Sequence, residues 1–68
     1  MDFMIYKYTI KYANGNKLSG YAIDNYNSKS KGEITDSIRK HFFGDFSVEV
    51  RKYGKKFPPI NTDYLLTV

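Results

Sequence analysis

An unbroken alternation of side chains that runs straight into Asn14-Gly15 constrains this chain more than any other feature. From Phe3 to Ala13, Met4, Tyr6, Tyr8, Ile10 and Tyr12 fall on one side, and Phe3, Ile5, Lys7, Thr9 and Lys11 on the other. A period of two built from β-forming residues specifies a strand. Asn-Gly is the favoured central pair of a type I′ hairpin turn, because both positions need positive φ. The expected second strand runs from about Lys17 to Ile23. A two-residue loop would pair Tyr8 with Tyr21 and Tyr6 with Ile23 and put Tyr21 and Ile23 on the tyrosine side. A slip of one residue would exchange the two faces of the second strand.

The polar stretch from Asp24 to Ser30 reads as a surface loop. Ser30 followed by Glu33 fits a capping box, in which hydroxyl and carboxylate each satisfy a backbone amide of the first helical turn. Ile34, Ile38 and Phe42 recur at helical spacing, and Gly44 is placed to end a helix of about three turns in the left-handed region. Phe46, Val48 and Val50 alternate with Ser47, Glu49 and Arg51, which specifies a third strand with one dry face. Tyr53-Gly54-Lys55-Lys56 then turns the chain. Phe57-Pro58-Pro59 cannot lie inside a central strand, since proline lacks the ladder donor. A fourth strand is expected from about Asp63 to Val68.

The expected fold is α+β, a ββαββ domain with one helix packed on an antiparallel sheet of three to four strands. Its expected core is Tyr6, Tyr8, Ile10, Tyr21, Ile23, Ile34, Ile38, Phe42, Phe46, Val48, Val50 and Leu66. With 68 residues the chain has room for one domain, residues 1–68, and one core, because chains near 60 residues bury only about 60% of their unfolded surface.

Cysteine does not occur, so neither a disulfide framework nor a thiolate metal site can form, and a cytoplasmic setting is expected. Apolar runs fall far short of the roughly 20 residues that span a bilayer, and an acid at Asp2 replaces the basic start of an export signal. Eleven Lys and Arg against seven Asp and Glu give a formal charge of +4, which permits an anionic partner. Only Arg39 and Arg51 are arginines, whereas the guanidinium fork is the usual tool for specific phosphate or base recognition.

No residue pattern implies catalysis. His41 is the single histidine, and no carboxylate and nucleophile are spaced to work with it. The carboxylates form no acid/base or metal motif, and Glu33 is accounted for as a cap partner. No catalytic residue, cofactor or metal is expected. Two surfaces stand out instead. One is the sheet face away from the helix, where Phe3, Ile5, Leu18, Ala22 and Leu65 are expected to gather, with Tyr12, Tyr26 and Tyr53 near turns. The other is the run Arg51-Lys52-Tyr53-Gly54-Lys55-Lys56, read as a basic hairpin tip.

These surfaces carry two expectations. The first is a non-enzymatic protein-binding module, such as a small phage or mobile-element inhibitor, that covers a functional surface of a host protein, for example one that binds nucleic acid. Phe3, Ile5, Tyr12, Leu18, Tyr26 and Tyr53 would make the contacts, against an acidic partner surface or a second copy of the chain. The alternative is a small DNA- or RNA-binding protein that uses Lys7, Lys11, Arg51, Lys52, Lys55 and Lys56 on phosphates. No membrane partner is expected.

Overall fold

The computed structural model describes residues 2–61 and 64–68. Four strands and one helix follow in the order β1 (Met4–Tyr12), β2 (Lys17–Asp24), α1 (Lys31–Arg39), β3 (Phe46–Gly54) and β4 (Leu66–Thr67). The sheet order is β3-β1-β2-β4. β1 pairs antiparallel with both β2 and β3, while β4 joins β2 in parallel, so the sheet is mixed rather than wholly antiparallel. The expected start of the last strand at Asp63 lies outside the described residues.

The hairpin forms where expected, but its register differs by one residue. Tyr8 stands opposite Gly20, Tyr6 opposite Ala22 and Ile5 opposite Ile23. The reason lies in the loop. The Tyr12 amide donates to the Asn16 carbonyl and the Gly15 amide to the Tyr12 carbonyl, leaving Ala13, Asn14 and Gly15 between the strands. Gly15 takes φ +92° while Asn14 keeps a negative φ, which excludes a type I′ turn and matches a three-residue loop with its left-handed residue at glycine. The Asn14 side chain accepts from the Asn16 amide and holds the bend. Gly20 then has a steric purpose: a Cβ there would overlap the ring and hydroxyl of Tyr8, which lies across it.

That single step moves Tyr21 and Ile23 off the helix side and brings Leu18, Gly20 and Ala22 onto it. The helix-side core is Tyr6, Tyr8, Ile10, Ala22, Ile34, Ile38 and Val50, with Met4, Tyr12, Phe42, Phe46, Val48, Leu66 and Val68 packed around it. Ile34 and Ile38 are completely buried, each contributing about 1.5–3 kcal/mol by transfer out of water. The capping box is present as expected, with Ser30 Oγ accepting from the Glu33 amide and Glu33 Oε1 accepting from the Ser30 amide.

The helix is shorter than expected. After Arg39 the amides of His41 and Phe42 turn to carbonyls three residues back, which tightens the chain out of the helix. Gly44, at φ +102°, bends the link into β3 rather than capping α1. Phe42 still reaches the core, edge-on to Tyr8 at 5.8 Å between ring centroids.

Ile5 and Ile23 point to the opposite face yet are buried, Ile5 completely. Residues 55–61 explain this. β3 and β4 lie at opposite edges of the sheet, so the connection between them has to cross it. Phe57 stacks on Phe3 with ring centroids 5.0 Å apart, and Pro58 is buried. The proline-stiffened segment is thus a strap over the apolar end of the back face. No helix of the described residues is long and apolar enough to cross a membrane.

Candidate nucleic-acid interface

The back face is divided. Its strapped end holds Phe3, Ile5 and Ile23, and its open end carries Lys7, Thr9, Lys11, Lys17, Ser19, Ser47, Glu49 and Arg51, all placed there by strand alternation. Tyr21 and Tyr53 meet at the border with ring centroids 5.1 Å apart and planes at 78°. A bulge opposite Ile5 and Tyr6 brings Tyr53 to this position. Gly54, next to the bulge, takes φ +143°, a backbone conformation open to glycine.

The pairing register sets like charges against one another on this open end. Lys7 stands directly opposite Arg51 on β3, and Lys11 directly opposite Lys17 on β2. Like charges in direct cross-strand pairs are destabilising. One of the four is compensated: Lys11 Nζ donates to Glu49 Oε1 at 3.0 Å. This hydrogen bond and the Lys11 charge behind it, with smaller contributions from Arg51 and Lys17, hold the Glu49 carboxyl below its ordinary range. Lys7, Lys17 and Arg51 form no ion pair among the described residues. A shallow depression of about 520 Å³ runs over Lys7, Thr9, Ser19, Glu49 and Arg51 and continues around the edge of β3 to Lys31 and Thr35.

The six residues expected to bind nucleic acid therefore do not act as one hairpin tip. β3 does not form a hairpin with β4. Arg51, Lys52 and Tyr53 are strand residues, and Lys52, opposite Tyr6, lies on the helix side. Lys7 and Arg51 come together, whereas Lys11 is bound to Glu49. Lys55 pairs with Asp2 at 3.5 Å, with both side chains exposed, and Lys56 follows it in the bend. Lys17 belongs to the cluster although the sequence reading does not single it out. The three-residue loop that sets Lys17 against Lys11 is the signal that could have revealed it.

The six residues expected to bind a protein are scattered in the same way. Ile5 is fully buried and offers no surface. Phe3 is half-buried under Phe57, and Leu18 lies on the helix side opposite Ile10. Tyr12 packs edge-on against Phe46 at 5.8 Å. Tyr26 is exposed in the loop after β2, and Tyr53 shares the border with Tyr21. Ala22 is in the helix-side core. The expected apolar docking face does not exist as one surface, because register moves half of it and the strap covers the other half.

His41 is exposed just beyond α1. Among the described residues, no three of the acidic and histidine side chains gather where they could hold a metal ion. Comparison with protein-family models, with curated proteins and with solved structures finds no match to this chain.

Proposed function

We propose that this domain binds single-stranded nucleic acid across the open end of its back face. One observation carries the reading: two like-charged pairs, Lys7 with Arg51 and Lys11 with Lys17, are set directly opposite each other on an open sheet face. Glu49 relieves the cluster only in part, whereas a phosphate backbone laid over it relieves the remaining repulsion. Tyr21 and Tyr53 stand at the edge of the cluster, where bases can stack, and Thr9 and Ser19 supply hydroxyls between the cations. A strand face with half-exposed rings suits unpaired bases better than a duplex, whose bases are stacked inward.

The test is the affinity for a single-stranded oligonucleotide, read by fluorescence anisotropy over a range of salt concentrations. Removing one cation that neutralises a phosphate makes the logarithmic salt dependence shallower by about 0.7. The double variant Lys7→Gln, Arg51→Gln should therefore bind more weakly with a slope reduced by about 1.4. Its unfolding midpoint should hold or rise, since a repulsion is removed. Equal affinity and slope in the two proteins would refute the reading.

A protein partner keeps one specific observation in its favour: Phe43, beyond the end of α1, is 89% exposed. A ring held so far out of the core suits insertion into a partner's pocket. On that reading Phe43→Ser would abolish binding while Lys7 and Arg51 would alter only the association rate.

A further inference from the structure

Apart from the open sheet face, a second basic surface lies on the helix side. A groove of about 510 Å³ is lined by Tyr6, Asn27, Lys29, Ser30, Lys31, Arg51 and Lys52. It sits at the N-terminus of α1, where the first backbone amides point outward and the helix dipole favours negative charge. The cap satisfies the amides of Ser30 and Glu33 within the chain. Those of Lys31 and Gly32 have no hydrogen-bond partner among the described residues.

Tyr6 supplies the independent observation. It is 3% exposed and belongs to the core cluster, yet its hydroxyl makes no hydrogen bond among the described residues. No fully buried side-chain oxygen or nitrogen among the described residues lacks a partner. The unpartnered Tyr6 hydroxyl is therefore the part of the side chain that reaches open space, and the space it reaches is this groove. A buried phenol ending in a basic groove without an acceptor is a donor waiting for one.

The groove is rimmed mainly by cations. Lys29, Lys31, Arg51 and Lys52 surround it, and none is in an ion pair among the described residues. Two carboxylates stand nearby and both accept from backbone amides, although the Asp24 charge still acts on the Tyr6 phenol. Asp24 accepts from Tyr26 at 3.4 Å and from Lys29 at 2.9 Å, and Glu33 accepts from Ser30.

We propose that this groove is a binding site for a phosphoryl group, held by the Lys31 and Gly32 amides, the Tyr6 hydroxyl and the cations Lys29, Arg51 and Lys52. The site stands independently of strand binding on the back face. Arg51 reaches both surfaces, so the phosphoryl group can belong to a free phosphate compound or to the phosphorylated end of a bound strand.

The full ¹⁵N-labelled chain, titrated with inorganic phosphate against chloride at matched ionic strength, tests the site. The Lys31 and Gly32 amide signals should shift and saturate. Tyr6→Phe, which keeps the ring in the core, should weaken the affinity about tenfold, the low end for a hydrogen bond to a charged group. Lys52→Met, on an exposed side chain, should weaken it as well. A 5′-phosphorylated oligonucleotide that reproduces the shifts, where its 5′-hydroxyl counterpart does not, assigns the group to a strand end. Identical behaviour of the two oligonucleotides alongside saturable phosphate binding assigns it to a free phosphate compound. Shifts that do not saturate, or an affinity unchanged in both Tyr6→Phe and Lys52→Met, would overturn the proposal. A drop in strand affinity in a Lys7→Gln variant bears on the back face alone, because Lys7 does not line the groove whereas Arg51 lines both surfaces.

Discussion

Two connections cross this sheet, one over each face, and different interactions hold them in place. On the front, α1 carries the chain from β2 to β3 past β1, and on the back the strap that begins with residues 55–61 leads from β3 toward β4 at the far edge of the sheet. The helix bonds its interior backbone internally beyond its first amides and buries a periodic stripe of isoleucines. The strap has little regular structure and relies on Phe57 against Phe3 and on the buried Pro58. The front face is therefore covered along most of its length and serves as a core. The back face is covered only at the Ile5 end, and its remainder is left open for basic and polar groups.

Removing apolar volume on either side is expected to have the largest effect. Ile38→Ala on the front should cost about 2–5 kcal/mol, and Ile5→Ala on the back should cost a similar amount, because both are fully buried. Ile5→Asp should unfold the domain. Chemical denaturation of the three variants checks this, and a fully stable Ile5→Asp protein would show that the strap does not close over the back face.

Loosening the strap alone should matter less. Phe57 is 54% exposed, so Phe57→Ala should cost only about 1–2 kcal/mol, from partial burial and the stacking on Phe3 that it removes. Hydrogen exchange should then quicken at the Val68 amide, which donates to the Ile23 carbonyl, while the amides of α1 keep their protection. Uniform loss of protection would mean that the two crossovers unfold as one unit.

At the helix, Ser30→Ala should lower stability by about 1 kcal/mol through loss of the cap, without loosening β4. A smaller effect still is expected of Lys11→Ala, which breaks an exposed ion pair and should leave the unfolding midpoint unchanged.

The front core also carries a pH signature. Burial raises the pKa of both Tyr6 and Tyr8 above the ordinary value of 10.0, with the Asp24 charge adding to the effect at Tyr6. The neutral phenols are the forms that the fold favours. Their contribution is complete below about pH 10 and is lost as pH rises through the raised folded values. Denaturation midpoints should hold steady up to that pH and then fall. Tyr8→Phe should make the fall shallower, and an unchanged alkaline profile in that variant would contradict the assignment.

Legibility in the sequence divides along the same line as the two crossovers. The helix could be read because its signals are local: Ser30 and Glu33 are three residues apart, and Ile34 and Ile38 four. β1, β2 and β3 could be read from alternation, and the α+β class follows from their order. The hairpin register could not be read from Asn14-Gly15 alone, since the same dipeptide serves a two-residue and a three-residue loop. The observed register also lays the Tyr8 ring over Gly20, a contact between strands that the dipeptide does not announce. The parallel docking of β4 and the strap rest on contacts distant in sequence, such as Phe3 with Phe57, that carry no periodic mark.

The candidate site inherits that limit. Lys7 and Arg51 were recognisable as basic residues, but their opposition, and the part played by Lys17, depend on the register. The burial of Ile5, which removes the apolar docking face, depends on the strap.

The most direct test of the divided back face is to map where a single-stranded oligonucleotide touches the ¹⁵N-labelled protein at low salt. Saturable amide shifts are expected at Lys7, Thr9, Ser19, Tyr21, Arg51 and Tyr53, fading as salt rises, with little change around Leu18 and Phe43. Shifts centred on Leu18 and Phe43, or none at all, would contradict that division.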